Sequence, residues 1–267
     1  MCLPLRRKLQ SIINSLPALM AIIALILLWH YLSVNNVVPS YMLPKPIDVF
    51  KVLIEEKDIL FEHALITLQE AFWGLGIGIG LAFVIATVMD ECNILYKAIY
   101  PIMIITQTIP TIAIAPLLVL WMGFGKEPKI TLVVLTTFFP IAVGLLDGYK
   151  SVDKDEINLL RSMGANKLKI FKHVKLPNAL SRFFSGLKIS ASYAIVGAVI
   201  SEWLGGFEGL GVYMTRVKKA YAFDRMFAVI IVIVVISLLL MKLVNLLRKM
   251  VMPWECKIIN NYSKGDD

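Results

Sequence analysis

Histidine and cysteine are scarce, and neither forms a cluster. His30, His63 and His173 fall in three separate stretches with no HExxH pair, so no zinc-hydrolase site can be read from them. Cys2, Cys92 and Cys256 are odd in number and far apart, which supports neither a disulfide framework nor a structural zinc site. Charge is sparse as well: Asp, Glu, Lys and Arg make up 17% of the chain, against about 25% in a soluble domain. A phosphate-binding G-x-x-x-x-G-K-[ST] loop is missing. The nearest string, Gly123 to Pro128 (GFGKEP), lacks both the glycine spacing and the hydroxyl after the lysine. These absences leave no catalytic residue, no metal ligand and no cofactor to assign to this chain.

Long apolar runs are what the chain has instead. Hydrophobic residues make up 58% of the 267, and the mean hydropathy is +0.75. Crossing a hydrocarbon layer takes about 20 apolar residues in a helix, and six stretches are long enough, near 12–32, 66–89, 98–123, 130–149, 184–204 and 226–247. The remainder is too short for a separate soluble domain. The expectation is one all-α integral membrane domain over residues 1–267, with its core at 64–250 and a cytoplasmic loop at 151–182 between the fourth and fifth spans. The N-terminal MCLPLRRKLQ resembles the basic flank of a signal peptide, but no small-residue cleavage site follows, so the first helix is read as retained. With the N-terminus inside, eighteen Lys and Arg lie on the cytoplasmic side and nine outside. That bias obeys the positive-inside rule and accounts for the net charge of +8 without nucleic acid.

The segments between and within these spans carry further signals. Leu43-Pro44-Lys45-Pro46 should be extended, because proline disfavours helix in the residue before it. An amphipathic helix should follow on the outer membrane surface, with Val49, Leu53 and Ile54 at helical spacing. In WGLGIGIGL, Gly74/Gly78 and Gly76/Gly80 are GxxxG pairs that let another helix approach closely. Pro101, Pro110 and Pro116 predict a kinked or broken third span whose freed backbone must face protein or water. Gln107, Thr108 and Thr111 then either line a pathway or bond to a neighbouring helix. Ser190, Ser201 and Glu202 give the fifth span its polarity. Glu202 is either interfacial, beside Trp203, or faces a conducting cavity. Asp147 is read as structural.

After the fourth span, Asp153 and Glu156 have capping-box spacing, and Ile157, Leu160 and Met163 form a narrow apolar stripe that Gly164 ends. Asn166 caps a second short helix bearing Leu168 and Phe171 among lysines, and Leu176-Pro177 ends it. Two short helices joined by a glycine bend form a knob that a partner protein can grip. An amphipathic segment resting on anionic lipid has the same pattern.

The string Gly164-x9-Val174-Lys175-Leu176-Pro177 resembles the G-x9-I-x-L-P half of the EAA loop of permeases in binding-protein-dependent ABC importers. Asn158-Leu159-Leu160 replaces the family's Glu-Ala-Ala. The segments LPKP, IPTIAIAPLLVLWMGFG, FFPIAVG and PNALSRFFSGLKIS extend the resemblance over nearly the whole chain, toward the branch serving nitrate, sulfonates, taurine and thiamine precursors. VGAVISEWLGGFEGLGVYMTRVKKAYAFDRMFAVI looks most like permeases for thiamine pyrimidine precursors. The resemblance implies a multi-pass permease of the bacterial cell membrane, paired as a homodimer. Leu159, Leu160, Met163, Gly164, Ala165, Leu168, Phe171, Leu176 and Pro177 would contact a cytoplasmic ABC ATPase, which uses the ATP. An extracytoplasmic solute-binding protein would dock on the other side, and Gln107, Thr108, Thr111, Ser190, Ser201 and Glu202 would line the pathway. Sulfonate, taurine, nitrate or riboflavin-like solutes, or an ion-coupled secondary transporter, are the alternatives. The last would show paired ionisable residues within the membrane and internal repeats, and neither is evident along the sequence.

Overall fold

The computed structural model describes residues 3–253 apart from 36 and 40, with side chains described from residue 16. Cys2, Cys256, Lys257 and Lys264 lie outside the described residues, as do the side chains of Arg6, Arg7 and Lys8. Every regular element among the described residues is helical: α1 (Leu3–Val34), α2 (Pro46–Glu55), α3 (Lys57–Glu91), α4 (Asn93–Thr108), α5 (Thr111–Met122), α6 (Glu127–Lys150), α7 (Lys154–Ser162), α8 (Lys167–Ile170), a π-helical turn (Phe171–Lys175), α9 (Leu176–Gly205), α10 (Leu210–Lys219) and α11 (Phe223–Val251). Five helices are long and apolar enough to cross a membrane, and α4 with α5 form a sixth, bent path. The chain divides into two compact units, residues 1–60 with 214–231 and residues 61–213 with 232–267.

In the first unit, α1 presents apolar side chains outward, Leu25 at 66% and Leu27 at 61% exposure, as lipid contact requires. Lys45 is extended and Pro46 opens α2, where its missing N–H costs nothing. The Trp29 indole donates to Pro44 O at 2.9 Å and the Ser33 hydroxyl to Leu43 O at 3.0 Å, fixing the turn into α2. Val49 and Val52 are buried with Ala228 against Trp29, Leu53 and Phe227. Ile54 lies on the opposite, exposed side of α2 rather than with Val49.

The second unit is built on the antiparallel pair α6 and α9. Gly144, Gly148 and Gly186 bring the two backbones together: a Cβ at Gly148 would fall on Ala179, and one at Gly186 on the Pro140 carbonyl. Ala179, Ala191, Ala194 and Ala198 of α9 are fully buried, the small-residue interface that association in lipid favours. Helix α3 packs on α6 through Gly74, against Val133, and Gly78, against Thr137. Only this GxxxG pair makes a close contact. Gly76 and Gly80 point the other way and have nothing within 4 Å of a built Cβ, because residues two apart on a helix face different directions.

The third span is broken where the prolines predict. Of its three prolines, Pro101 and Pro116 are absorbed within α4 and α5, while Pro110 holds Ile109 extended at φ −81°, ψ 122° and turns the chain by 101°. Thr106 and Thr108 bend their hydroxyls back onto the Met103 and Ile105 carbonyls at 2.7 and 2.8 Å, the second of these a last-turn acceptor left open by the break. Lys150, closing α6, sits 3.5 Å from the Tyr96 ring centroid at the start of α4. Phe124, just after α5, shares a cavity with Lys129 at the start of α6. The pair therefore runs from one end of α6 to the other, about 36 Å for 24 residues, and is a broken crossing rather than a re-entrant loop. Counting this pair as one span gives up to six candidate crossings among the described residues.

Gly186→Ala should lower stability by about 1–3 kcal/mol by overpacking against backbone, whereas Gly76→Ala should be neutral or stabilising by up to about 1 kcal/mol through helix propensity. Thermal unfolding of the detergent-solubilised protein checks the contrast.

Candidate functional site

The inner loop is a short, well-capped structure. Asp153 accepts from the Asp155 N–H at 3.0 Å to start α7, and Asn166 accepts from the Lys169 N–H at 2.9 Å to start α8. Between them Gly164 has φ +83°, its N–H reaches Arg161 O and the Ala165 N–H reaches Leu160 O, both at 2.9 Å. This is a Schellman ending, which needs a residue tolerant of the left-handed region. Salt bridges tie the loop to the inner end of α3, Lys175 to Asp90 at 2.5 Å and Lys167 to Glu91 at 3.2 Å. The Phe171 ring packs 5.4 Å from that of Tyr149.

Leu176-Pro177 does not end the second helix. The π-helical turn passes straight into α9, giving one helical path from Lys167 to Gly205. Its wider i→i+5 bonding accommodates a proline, which has no N–H to offer a tighter ladder. The expected apolar contact residues separate by side. Leu159, Met163 and Leu168 are 62%, 75% and 72% exposed, and Gly164 is exposed at the bend. Leu160, Ala165, Phe171, Leu176 and Pro177 are half-buried, and Val174 and Ile170 are buried beneath them.

A groove runs along one face of α6 and one face of α9. Thr136, Phe139, Pro140, Val143, Gly144 and Asp147 recur every three or four residues on the first. Arg182, Ser185, Gly186, Ile189, Tyr193 and Gly197 do so on the second. The α4–α5 break closes its side with Gln107 and Thr111. The inner part is a cavity of about 640 Å³ ending at Asp147 and Arg182. The outer part, about 260 Å³, adjoins it at Gln107 and Tyr193. Asp147, read from sequence as structural, is exposed here.

Four expected pathway residues lie elsewhere. Ser190 is fully buried and donates to Thr137 O at 2.8 Å, and Ser201 donates to Ala198 O at 2.7 Å, so both serve helix contacts. Thr108 is exposed, but its hydroxyl is committed to the Ile105 carbonyl. Glu202 is neither interfacial nor in the groove: it is 1% exposed. Its carboxylate accepts from the Thr67 hydroxyl at 2.7 Å and from the Gly211 N–H at 2.6 Å. Thr67 in turn accepts from the Leu210 N–H at 2.9 Å and His63 Nδ1 from the Gly209 N–H at 3.0 Å. Three successive N–H groups at the start of α10 are thus satisfied by a buried acid and its neighbours. Beside them Lys129 pairs with Glu70 at 2.7 Å, both buried. The two partners lie 59 residues apart, so the pair is not legible in the sequence, although Glu70 inside a long apolar run is a signal in itself.

These features define a polytopic, all-helical membrane domain with a structured inner knob and a groove between α6 and α9. Residues 74–254 match the family described as binding-protein-dependent transport system inner membrane component, and the chain belongs to that family. A probable ABC transporter permease protein of Haemophilus influenzae is 35% identical over 85% of this chain and 93% of its own length. The formylaminopyrimidine transport permease protein ThiX of Halalkalibacterium halodurans is 33% identical over 95% of this chain and all of its own. Relatives named for riboflavin, aliphatic sulfonates and taurine match at 26 to 30% identity. The fold is that of a crystallised amino acid ABC transporter chain, with a TM-score of 0.62 at 16% identity, covering 75% of this chain and 98% of that one. The chain is therefore a permease subunit of an ABC importer.

Lys129→Met should destabilise the protein by about 3–5 kcal/mol by leaving Glu70 buried without its cation. The double variant Lys129→Met/Glu70→Leu should recover most of the loss. Thermal unfolding in detergent reads both.

Proposed function

We propose that the α7–α8 knob is the docking element for a cytoplasmic ATPase and that the groove carries a small pyrimidine precursor of thiamine into a bacterial cell. The observation that carries the first part is the trio Leu159, Met163 and Leu168, exposed apolar side chains held on a capped, salt-bridged loop on the inner side. Isolated exposed leucines are ordinary, but three on one short rigid element suit a partner's groove. Gly164 sets the angle between the two helices. Phe171, Leu176 and Pro177 act from beneath, joining the knob to α9.

In the working assembly two copies of the chain stand together over two ATPases, and an external solute-binding protein delivers the solute. Closure of the ATPases pushes the knob, and the continuous path from Lys167 to Gly205 carries the displacement into the groove. The pyrimidine reading is supported by the full-length similarity to the formylaminopyrimidine permease. A sulfonate or taurine reading draws on Arg182, which places a cation at the inner end of the groove.

Leu168→Asp and Met163→Asp should each abolish co-purification of the ATPase while leaving the amount of chain in the membrane unchanged. Gly164→Val, which costs about 1–2 kcal/mol in the left-handed region, should weaken it. Retention of the ATPase by all three variants would refute the docking assignment. Asn158→Glu, which restores the usual family acid on the exposed side of α7, should be tolerated.

A further inference from the structure

We infer that the outer half of the groove is a resting site for a neutral, planar, single-ring heterocycle, with Tyr193 and Gln107 as the residues that set its specificity. The inference rests on the import reading above and adds where the solute pauses and what chemistry selects it.

The outer cavity holds about 260 Å³, below the roughly 300–1,000 Å³ typical of pockets for drug-sized ligands. That is room for one substituted ring rather than a fused three-ring system. Its polar lining is uncharged: Gln107, Thr111, Thr136 and Tyr193, with Val196 and Ile200 as the apolar remainder. Thr136 has its hydroxyl bonded to Val133 O at 2.9 Å. Among the described residues, neither the Gln107 amide nor the Tyr193 hydroxyl has a hydrogen-bond partner, and Tyr193 is 49% exposed to the groove side of α9. A free primary amide offers a donor and an acceptor side by side, the complement of the N–C–N or N–C–O edge of a heteroaromatic ring. An open tyrosine face beside it supplies stacking for the ring plane.

The same lining disfavours an anion. Arg182 is the cation of the groove, and it lies eleven residues before Tyr193 on the same helix, about 16 Å away. A sulfonate resting at Tyr193 would leave water with no countercharge within contact, whereas a neutral ring gives up little hydration. The glycine at 197 keeps the site open, since a Cβ there would meet the Thr136 hydroxyl at 3.1 Å.

The test separates the site from the import reading. In membranes holding the chain with Cys2, Cys92 and Cys256 replaced by serine, Val196→Cys is labelled with a maleimide, with and without millimolar formylaminopyrimidine or taurine. Formylaminopyrimidine should slow labelling at 196, taurine should not, and labelling of Asp155→Cys on the inner loop should be indifferent to both. Equal labelling under all conditions, or protection by taurine as strong as by the pyrimidine, overturns the site. In cells carrying the full transporter, Tyr193→Leu should lower the efficiency of ATP-dependent formylaminopyrimidine uptake about tenfold, the factor one stacking contact supplies. Tyr193→Phe should restore it, with ATPase co-purification unchanged in both. Uptake indifferent to Tyr193→Leu and to Gln107→Leu overturns the inference alone. Protection at 196 without any ATP-dependent uptake strikes the import reading and spares the site.

Discussion

The close antiparallel contact of α6 and α9 is the constraint on which the rest of the second unit depends. In a bilayer no hydrophobic force drives two apolar helices together, so their attraction must come from backbone proximity and packing. Gly144, Gly148 and Gly186 supply that proximity, and the row of buried alanines on α9 fills the seam. One flank of the pair receives α3 through Gly74 and Gly78. The other flank is left as two parallel rows of side chains, and those rows are the walls of the groove. Site and scaffold are therefore two faces of one helix pair.

The inner loop hangs from the same two helices. It leaves the end of α6 at Lys150 and returns through the π-helical turn into α9 without a break. A flexible return at Leu176-Pro177 would absorb any push on the knob. The continuous return, buttressed by Lys175 on Asp90 and by Phe171 on Tyr149, instead makes the knob and the α9 face of the groove one body. At the opposite end Glu202 ties the close of α9 to α3 through Thr67 and to the start of α10 through Gly211. The helix that carries the groove is thus held at both ends by polar contacts, and at its middle by packing.

What was legible in the sequence was what depends on neighbours along the chain. Six apolar runs, the break at Pro110, the Gly164 bend and the Asp153 and Asn166 caps all follow from local periodicity or backbone restriction, and all are present. What could not be read were relations across the bundle. Glu202 looked interfacial or cavity-facing because its partner Thr67 lies 135 residues away in the chain. Gly76 and Gly80 match the same motif as Gly74 and Gly78, yet which pair meets α6 depends on the rotation of α3, which motif spacing does not encode. Ser190 was polar in a span, and its burial was decided by where Thr137 presents its carbonyl. Tyr193 passed unnoticed because a tyrosine in an apolar run carries no signal until the opposite wall is known.

The groove's polarity is graded, and the grading follows from the cost of charge in the membrane. Outside the groove, Lys129 and Glu70 can be buried because they neutralise one another, whereas within it the charged residues Asp147 and Arg182 stand at the inner end. Toward the outer half the lining is neutral, with hydroxyls, an amide and an aromatic face. A solute crossing that stretch would exchange water for dipoles rather than for charges. On the proposed import reading, the groove would discriminate by shape and hydrogen-bond pattern in its outer half, and by electrostatics where Arg182 and Asp147 line the inner cavity.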